Sequence, residues 1–261
     1  MEKQALQSLL QSYGRVGVGF SGGVDSTFLL WMALRVLGRE NVLAVIADTP
    51  TLPRREFAEA QRIAEQLGAP VSVVKTNELN DPAYVANPPD RCYICKLHIF
   101  SLIRDEAVAK GFAILLDGSN ADDAGDYRPG RCAAKALGVK SPLEECGIRK
   151  QEIRAWSADA ALPTARKPAM ACLASRIPYG TPVTVEALAK IERAEASLHD
   201  LGFPLCRVRH HGDVARVEVP EDDIGKLLEP RLRQQVAEAV AAAGYRFAAL
   251  DLLGYRMGNM N

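Results

Sequence analysis

The strongest constraint in the sequence is a junction near its start. An apolar stretch, Arg15–Phe20 (RVGVGF), runs without a break into Ser21-Gly22-Gly23-Val24-Asp25-Ser26. The residues that follow, Asp25–Leu37, repeat apolar side chains at helical spacing, with Phe28, Leu29, Met32 and Val36 on one side. A buried strand is thus joined to a helix by a turn holding two glycines. The same alternation continues downstream. Val42–Asp48 and Val71–Lys75 read as strands, Pro53–Leu67 as a helix with its proline in the first turn and Gly68 past its end, Tyr93–Lys110 as a helix, and Ala113–Asp117 as a fourth strand. Strands separated by helices of this length predict right-handed crossovers, hence an α/β fold with a parallel sheet covered on both faces.

The pattern changes after residue 158. The stretch 159–183 is rich in Pro, Gly and Ala and reads as a functional loop and linker. Beyond it, Thr184–Leu201 reads as a helix, and Leu205–His210 with Val214–Val219 as a hairpin across His211–Asp213. Glu221–Leu228 and Pro230–Ala243 read as helices, and Arg246–Leu250 as a last strand. The expected organisation is a larger α/β domain over 1–158 and a smaller α+β unit over 184–261. A chain of 261 residues, 48% of them hydrophobic, has enough apolar material for both.

The Ser21–Ser26 turn suits a phosphate. Glycines let the backbone approach an anion closely, and a helix start offers unpaired N–H groups and a positive dipole end. Ser21 and Ser26 add hydroxyls, and Asp25 can hold Mg2+ on the phosphates. No lysine stands where a Walker A loop requires one. The bland reading, a glycine turn with an ordinary helix cap, is weakened by six residues in the right order between a strand and a helix. The motif resembles that of the PP-loop ATPases, which cleave ATP between its α and β phosphates. That resemblance implies nucleotide contacts at Phe20, Ser21, Gly22, Gly23, Asp25, Ser26 and Asp48. Asp117-Gly118-Ser119-Asn120-Ala121-Asp122-Asp123 runs on to Asp126-Tyr127-Arg128-Pro129-Gly130. Its carboxylates followed by an arginine suit a Mg–ATP or substrate loop, with Gly118 and Arg128 as nucleotide contacts; a solvated acidic turn is the alternative.

Of six cysteines, only Cys92 and Cys95 have ligand-like spacing. At a helix start they share a face, where a redox dithiol, a zinc site and an iron–sulfur cluster with a distant third thiol all compete. The candidate third thiol is Cys172, in Ala171-Cys172-Leu173-Ala174-Ser175-Arg176-Ile177-Pro178-Tyr179-Gly180; a small buried hydrophobe is the alternative. Cys132, Cys146 and Cys206 are expected to be structural.

Taken together, SGGVDS, RCYICK, GSNADD with RPG, and CLASRIPYGTPVT resemble the ATP-dependent sacrificial sulfur transferases (the LarE family) that build the nickel-pincer nucleotide cofactor of lactate racemase. The resemblance implies an adenine nucleotide alpha-hydrolase-like fold. It implies ATP-driven adenylation of a pyridinium dicarboxylate mononucleotide, followed by sulfur transfer at Cys172. In single-cysteine relatives that thiol is sacrificed and left as dehydroalanine. The additional Cys92 and Cys95 imply the variant in which three cysteines hold a [4Fe–4S] cluster, with an outside sulfur donor. Catalytic roles then fall to Cys172, Asp25 and Ser26, and a homo-oligomer is expected.

Arg207 and Arg209 alternate on a strand and project to one face. With Glu195 they are expected to form a substrate or ion pocket, and Ser175 and Arg176 to grip the substrate phosphate; solvated surface arginines are the alternative. Lys+Arg and Asp+Glu both number 32, which argues against a nucleic-acid partner held through phosphate neutralisation. No run is long enough to span a membrane, and no leader is seen, so a cytoplasmic protein is expected. Rival functions are a tRNA thiolase of the same class, an ammonia-using amide synthetase such as NAD synthetase, and a nucleotide- or cluster-sensing binding protein.

Overall fold

The computed structural model describes residues 2–125 and 129–256. They fall into two compact units. The first comprises Met1–Glu78 with Asp90–Met170, and the second Leu79–Pro89 with Ala171–Asn261. The division falls inside the stretch 159–183, and an eleven-residue piece from the middle of the first unit belongs to the second.

The first unit is built on four parallel strands, β1 (Val16–Gly19), β2 (Val42–Asp48), β3 (Val71–Lys75) and β4 (Ile114–Leu116), in the order β3-β2-β1-β4. Side chains alternate across the sheet as the pleat requires. Val42, Ala44 and Ile46 enter one core with α1 (Glu2–Tyr13), α2 (Val24–Leu37), α3 (Arg54–Gln66) and α8 (Lys150–Asp159). Leu43 and Val45 enter the other, with α5 (Arg91–Ala109) and α6 (Pro129–Ala136). The sheet is therefore covered on both faces, as the sequence predicts. The chain winds outward from β1 to β3 and then crosses back to β4 on the other side of β1. Order reverses between β1 and β4, and in open α/β sheets ligands bind outside the carboxyl ends at such a reversal.

β2 and β3 have their expected bounds, whereas α1 and α8 lie outside the sequence expectation. Pro53 precedes α3 as its cap and is not part of its first turn. Short elements complete the connections: α4 (Pro82–Val85), α7 (Pro142–Glu145) and 3-10 turns at Arg39–Asn41, Glu78–Asn80, Ala121–Gly125 and Leu173–Arg176.

The second unit packs α9 (Val185–Asp200), α10 (Glu221–Leu228) and α11 (Pro230–Ala242) with a sheet of β5 (Arg207–His211), β6 (Val214–Glu218) and β7 (Phe247–Leu250). β5 and β6 form the expected antiparallel hairpin, and β7 joins β6 in parallel. Thr184 caps α9 by accepting from Ala187 N at 3.1 Å. The inserted segment is held through Asn87, which is fully buried. Its Nδ2 donates to the carbonyls of Pro178 and Thr181 at 2.8 and 2.9 Å, and its own carbonyl accepts from Gly180 N at 3.0 Å. Asn87 adopts φ +55°, a left-handed conformation that asparagine tolerates better than most side chains.

Candidate active site

The cradle lies at the reversal point. β1 delivers Ser21–Ser26 to the start of α2, whose cap residue Gly23 supplies no side-chain hydrogen bond, so no cap side chain occupies the first N–H groups of the helix. Ser21 Oγ and Ser26 Oγ lie 3.1 Å apart, Gly23 N donates to Ser21 Oγ at 3.4 Å, and Ser26 Oγ donates to Gly23 O at 3.2 Å. Two glycines are sterically required. Gly22 has φ +68°, and a Cβ there would meet Ala60 Cβ at 2.9 Å. A Cβ on Gly118 would come within 2.9 Å of Ser26 N, so the end of β4 closes onto the helix start only because that residue is glycine.

A cation completes the cradle from far along the chain. Lys150 Nζ, at the first residue of α8, donates to Asp25 Oδ2 at 2.5 Å, and Asn120 Nδ2 donates to Asp25 Oδ1 at 3.4 Å. A lysine thus lies beside the loop although none stands within it. Sequence reasoning overlooked it, although Ile148-Arg149-Lys150-Gln151-Glu152 does carry a helix-start signal in its acidic first turn. Asp122 accepts from Lys150 N at 2.8 Å and Asp123 from Asn120 N at 3.1 Å, so both carboxylates order the loop and α8. Asp117 is buried and accepts from Ser119 and Ser141.

Phe20 is buried in the core, so its main chain is what it can offer a nucleotide. Asp48, at the end of β2, pairs with Arg54, which also donates to the Thr49 carbonyl at 2.7 Å. Arg128 lies outside the described residues. Lys167 ties the next loop to α3 through Glu56 and Glu59, at 2.7 and 2.8 Å.

Cys92 and Cys95 occupy the first turns of α5, the former exposed and the latter half-buried, with its thiol 3.9 Å from the buried carboxylate of Glu78. Among the described residues no group of three or more His, Cys, Asp or Glu side chains is placed to hold a metal ion. Burial pushes the Cys206 thiol up, consistent with an inert role. Cys132, expected to be structural, is exposed on α6.

In the second unit, Cys172 is half-buried and precedes the turn Leu173–Arg176. Arg176 is fully buried. Its Nε and Nη2 donate to the two oxygens of Glu195, both at 2.9 Å, and its Nη1 reaches the carbonyls of Ala171 and Cys172 at 2.7 and 2.9 Å and Ser175 Oγ at 2.9 Å. Burial works against that charge, but Glu195 outweighs it and holds the guanidinium above its usual range. Glu195 also accepts from Val208 N at 2.9 Å. Arg209 donates to Glu218 at 2.7 Å and to the Ser175 carbonyl at 3.1 Å. Arg207 is buried as well, but its partners are the Cys206 carbonyl at 2.7 Å and the Tyr255 ring at 5.1 Å, with no carboxylate ion pair among the described residues. Burial, and then Arg176, pulls its pKa down. Glu195 acts in the opposite sense, and a buried guanidinium with no ion pair of its own can take a phosphate or carboxylate. His210 and His211 stand on opposite faces of β5, one buried and one exposed, as their adjacency requires.

Known proteins are similar to this chain in sequence. A protein-family model described as NAD synthase matches residues 2–85. Pyridinium-3,5-bisthiocarboxylic acid mononucleotide synthase of Lactiplantibacillus plantarum is 41% identical over 260 residues, covering 100% of this chain and 94% of that protein. An uncharacterised protein of Synechocystis is 40% identical over 264 residues, covering 100% and 98%. An NH(3)-dependent NAD(+) synthetase of Chlorobaculum tepidum is 35% identical, but over only 30% of this chain and 28% of its own. The likeness to NAD synthetases thus spans the cradle end, and the likeness to the mononucleotide synthase spans everything.

Proposed function

The chain belongs to the pyridinium-3,5-bisthiocarboxylic acid mononucleotide synthase family of PP-loop enzymes, and from that membership we propose how its residues divide the work of an ATP-dependent sulfur transferase. The observation that carries the reading is 41% identity over 260 residues, a match that covers 100% of this chain and so takes in the cradle, the Cys172 turn and the C-terminal unit.

A carboxylate is a poor electrophile. The first task is therefore to attach AMP to a carboxyl of pyridinium-3,5-biscarboxylic acid mononucleotide with loss of pyrophosphate. The α2 start and the Ser21 and Ser26 hydroxyls hold the phosphates, and Lys150 neutralises charge developing on the departing pyrophosphate. Mg2+ enters with ATP, and Asp25 is the carboxylate placed to meet it, exchanging its contact with Lys150 for the ion. Arg207 takes the phosphate of the mononucleotide, because of the three buried arginines of the second unit it is the one with no carboxylate ion pair among the described residues. Replacement of the carboxyl oxygen by sulfur then gives the thiocarboxylate, with AMP as leaving group.

Cys92, Cys95 and Cys172 suit an iron–sulfur cluster by the chemistry of the donor set: three thiols, none in a disulfide, two of them on one helix start. A [4Fe–4S] cluster held by these three would leave one iron without a protein thiolate and supply the place where a transferable sulfide is carried. On this reading Cys172 is a ligand, an outside donor reloads the sulfur, and the enzyme works as a homo-oligomer in the reducing cytoplasm. Among the described residues no helix is long and apolar enough to cross a membrane.

The test is anaerobic turnover with Mg-ATP and the mononucleotide, following pyrophosphate, the thiocarboxylate and the intact mass of the protein. Multiple turnovers with sulfide and an unchanged protein mass are expected. A polypeptide lighter by one hydrogen sulfide per product would replace the cluster by a sacrificed Cys172, and absence of pyrophosphate release would overturn the adenylation itself.

A further inference from the structure

Sequence logic assigns Arg176 to the substrate phosphate; its surroundings point elsewhere. We propose that Arg176 is a positioning residue that fixes the backbone of Cys172, with Glu195 as its anchor, and does not touch substrate. The inference rests on the sulfur-transfer reading given above.

A guanidinium has five N–H donors in a rigid plane. Here Nε and Nη2 are taken by Glu195, and Nη1 serves the carbonyls of Ala171 and Cys172 together with Ser175 Oγ, all at 2.7–2.9 Å. The side chain is fully buried. Four of the five N–H groups are thus engaged, leaving one on Nη2, so a phosphate could be gripped by a pair of N–H groups only by breaking bonds already made in a dry site, where an unmet partner is costly. Two consecutive carbonyls converging on one nitrogen orient both peptide planes that flank Cys172. The Cys172 carbonyl is pinned again by Ser175 N at 3.0 Å. With its backbone held, the remaining freedom of the thiol is rotation about Cα–Cβ. The plane of Arg176 is itself set, because Glu195 is fixed on α9 and accepts from Val208 N on β5. The second buried pair, Arg209 with Glu218, reaches the same turn through the Ser175 carbonyl. Sulfur placement tolerates little error, since a displacement of an ångström can cost on the order of 100-fold in rate.

The experiment compares wild type, Arg176→Lys and Glu195→Gln. For each, kcat and KM for the mononucleotide are measured alongside the alkylation rate of Cys172 by iodoacetamide in metal-free protein, read by peptide mass spectrometry with Cys132 as the exposed reference. Positioning predicts that kcat for thiocarboxylate falls on the order of 100-fold in Arg176→Lys. KM should stay within about twofold. Cys172 alkylation should change while that of Cys132 does not. Lysine is not expected to rescue, because an ammonium cannot span a carboxylate and two carbonyls in one plane. If Arg176→Lys does not fold, Glu195→Gln decides, since it is nearly isosteric and keeps an acceptor for Val208 N; it should show the same signature more weakly. A rise in KM with kcat retained, or unchanged alkylation of Cys172, would overturn the inference while leaving the sulfur-transfer reading intact. No pyrophosphate release by wild type would remove that reading and this inference with it.

Discussion

In the cradle at the end of β1, the bonds among Ser21, Gly23 and Ser26 run from 3.1 to 3.4 Å, and the donors at the start of α2 have no side-chain cap. In the Cys172 turn, every bond of Arg176 lies between 2.7 and 2.9 Å, and its partners include a buried carboxylate. The cradle keeps its donors available, as a region that must accept and release phosphates requires. The turn commits its donors internally, as suits a region that, on the proposed reading, holds one sulfur still. Ligand binding and side-chain positioning thus leave different hydrogen-bond signatures, and that difference separates Arg207 from Arg176 although both are buried arginines of one unit.

The contrast can be broken most forcefully in the second unit. Glu218 is fully buried between Arg209 and Arg216. Glu218→Ala should destabilise the protein by about 3–5 kcal/mol, because it strands buried guanidinium charge. Chemical denaturation measures this, and a neutral result would mean that the turn is not held by its ion pairs. Next comes Lys150→Met, which should lower pyrophosphate release on the order of 100-fold. Its partner is a half-exposed carboxylate, so stability should change by less than about 1 kcal/mol. Activity within twofold of wild type would deny the cradle its distant cation. Gly118→Ala is expected to cost about 1–3 kcal/mol through overpacking, and to weaken binding of a non-hydrolysable ATP analogue, since the new methyl presses on Ser26 N. Calorimetric titration of the purified variant would show it.

The smallest effect is a pH dependence. Burial first, then Lys190 and His211, lowers the pKa of His210 from its ordinary 6.5. A histidine depressed in the folded state contributes stability that is present above the unfolded value and lost as pH falls toward the folded one, because the unfolded chain binds the proton first. Melting temperatures between pH 7 and pH 5 should therefore fall less steeply in His210→Gln. Equal slopes would remove the histidine from that account.

The sheet was legible because its evidence is local. β2 is six apolar residues closed by Asp48 and bounded by turn residues, and the glycine turn after β1 leaves few other conformations open. The cradle's small residues were legible for the same reason. Lys150 was not, since it meets Asp25 across 125 positions of sequence, and no spacing rule connects them. Arg176 was recognised as important but given the wrong kind of surroundings by simple charge logic. Its partner Glu195 lies nineteen residues away on α9, and only packing reveals that the charge is already matched. Asn87 carried no signal, because its contacts are with carbonyls, which every residue has.

The segment Leu79–Pro89 has a consequence for synthesis. It is made early, yet the carbonyls its asparagine binds begin 90 positions later, at Ile177. At typical elongation rates that is a wait of roughly 5 to 20 s. Throughout it, the emerging chain carries a segment whose contacts have not yet been translated, so the second unit closes only late, after the first can already have folded around the gap. An insertion anywhere between the two partners would lengthen that delay, and a chain ending near residue 170 would never resolve it.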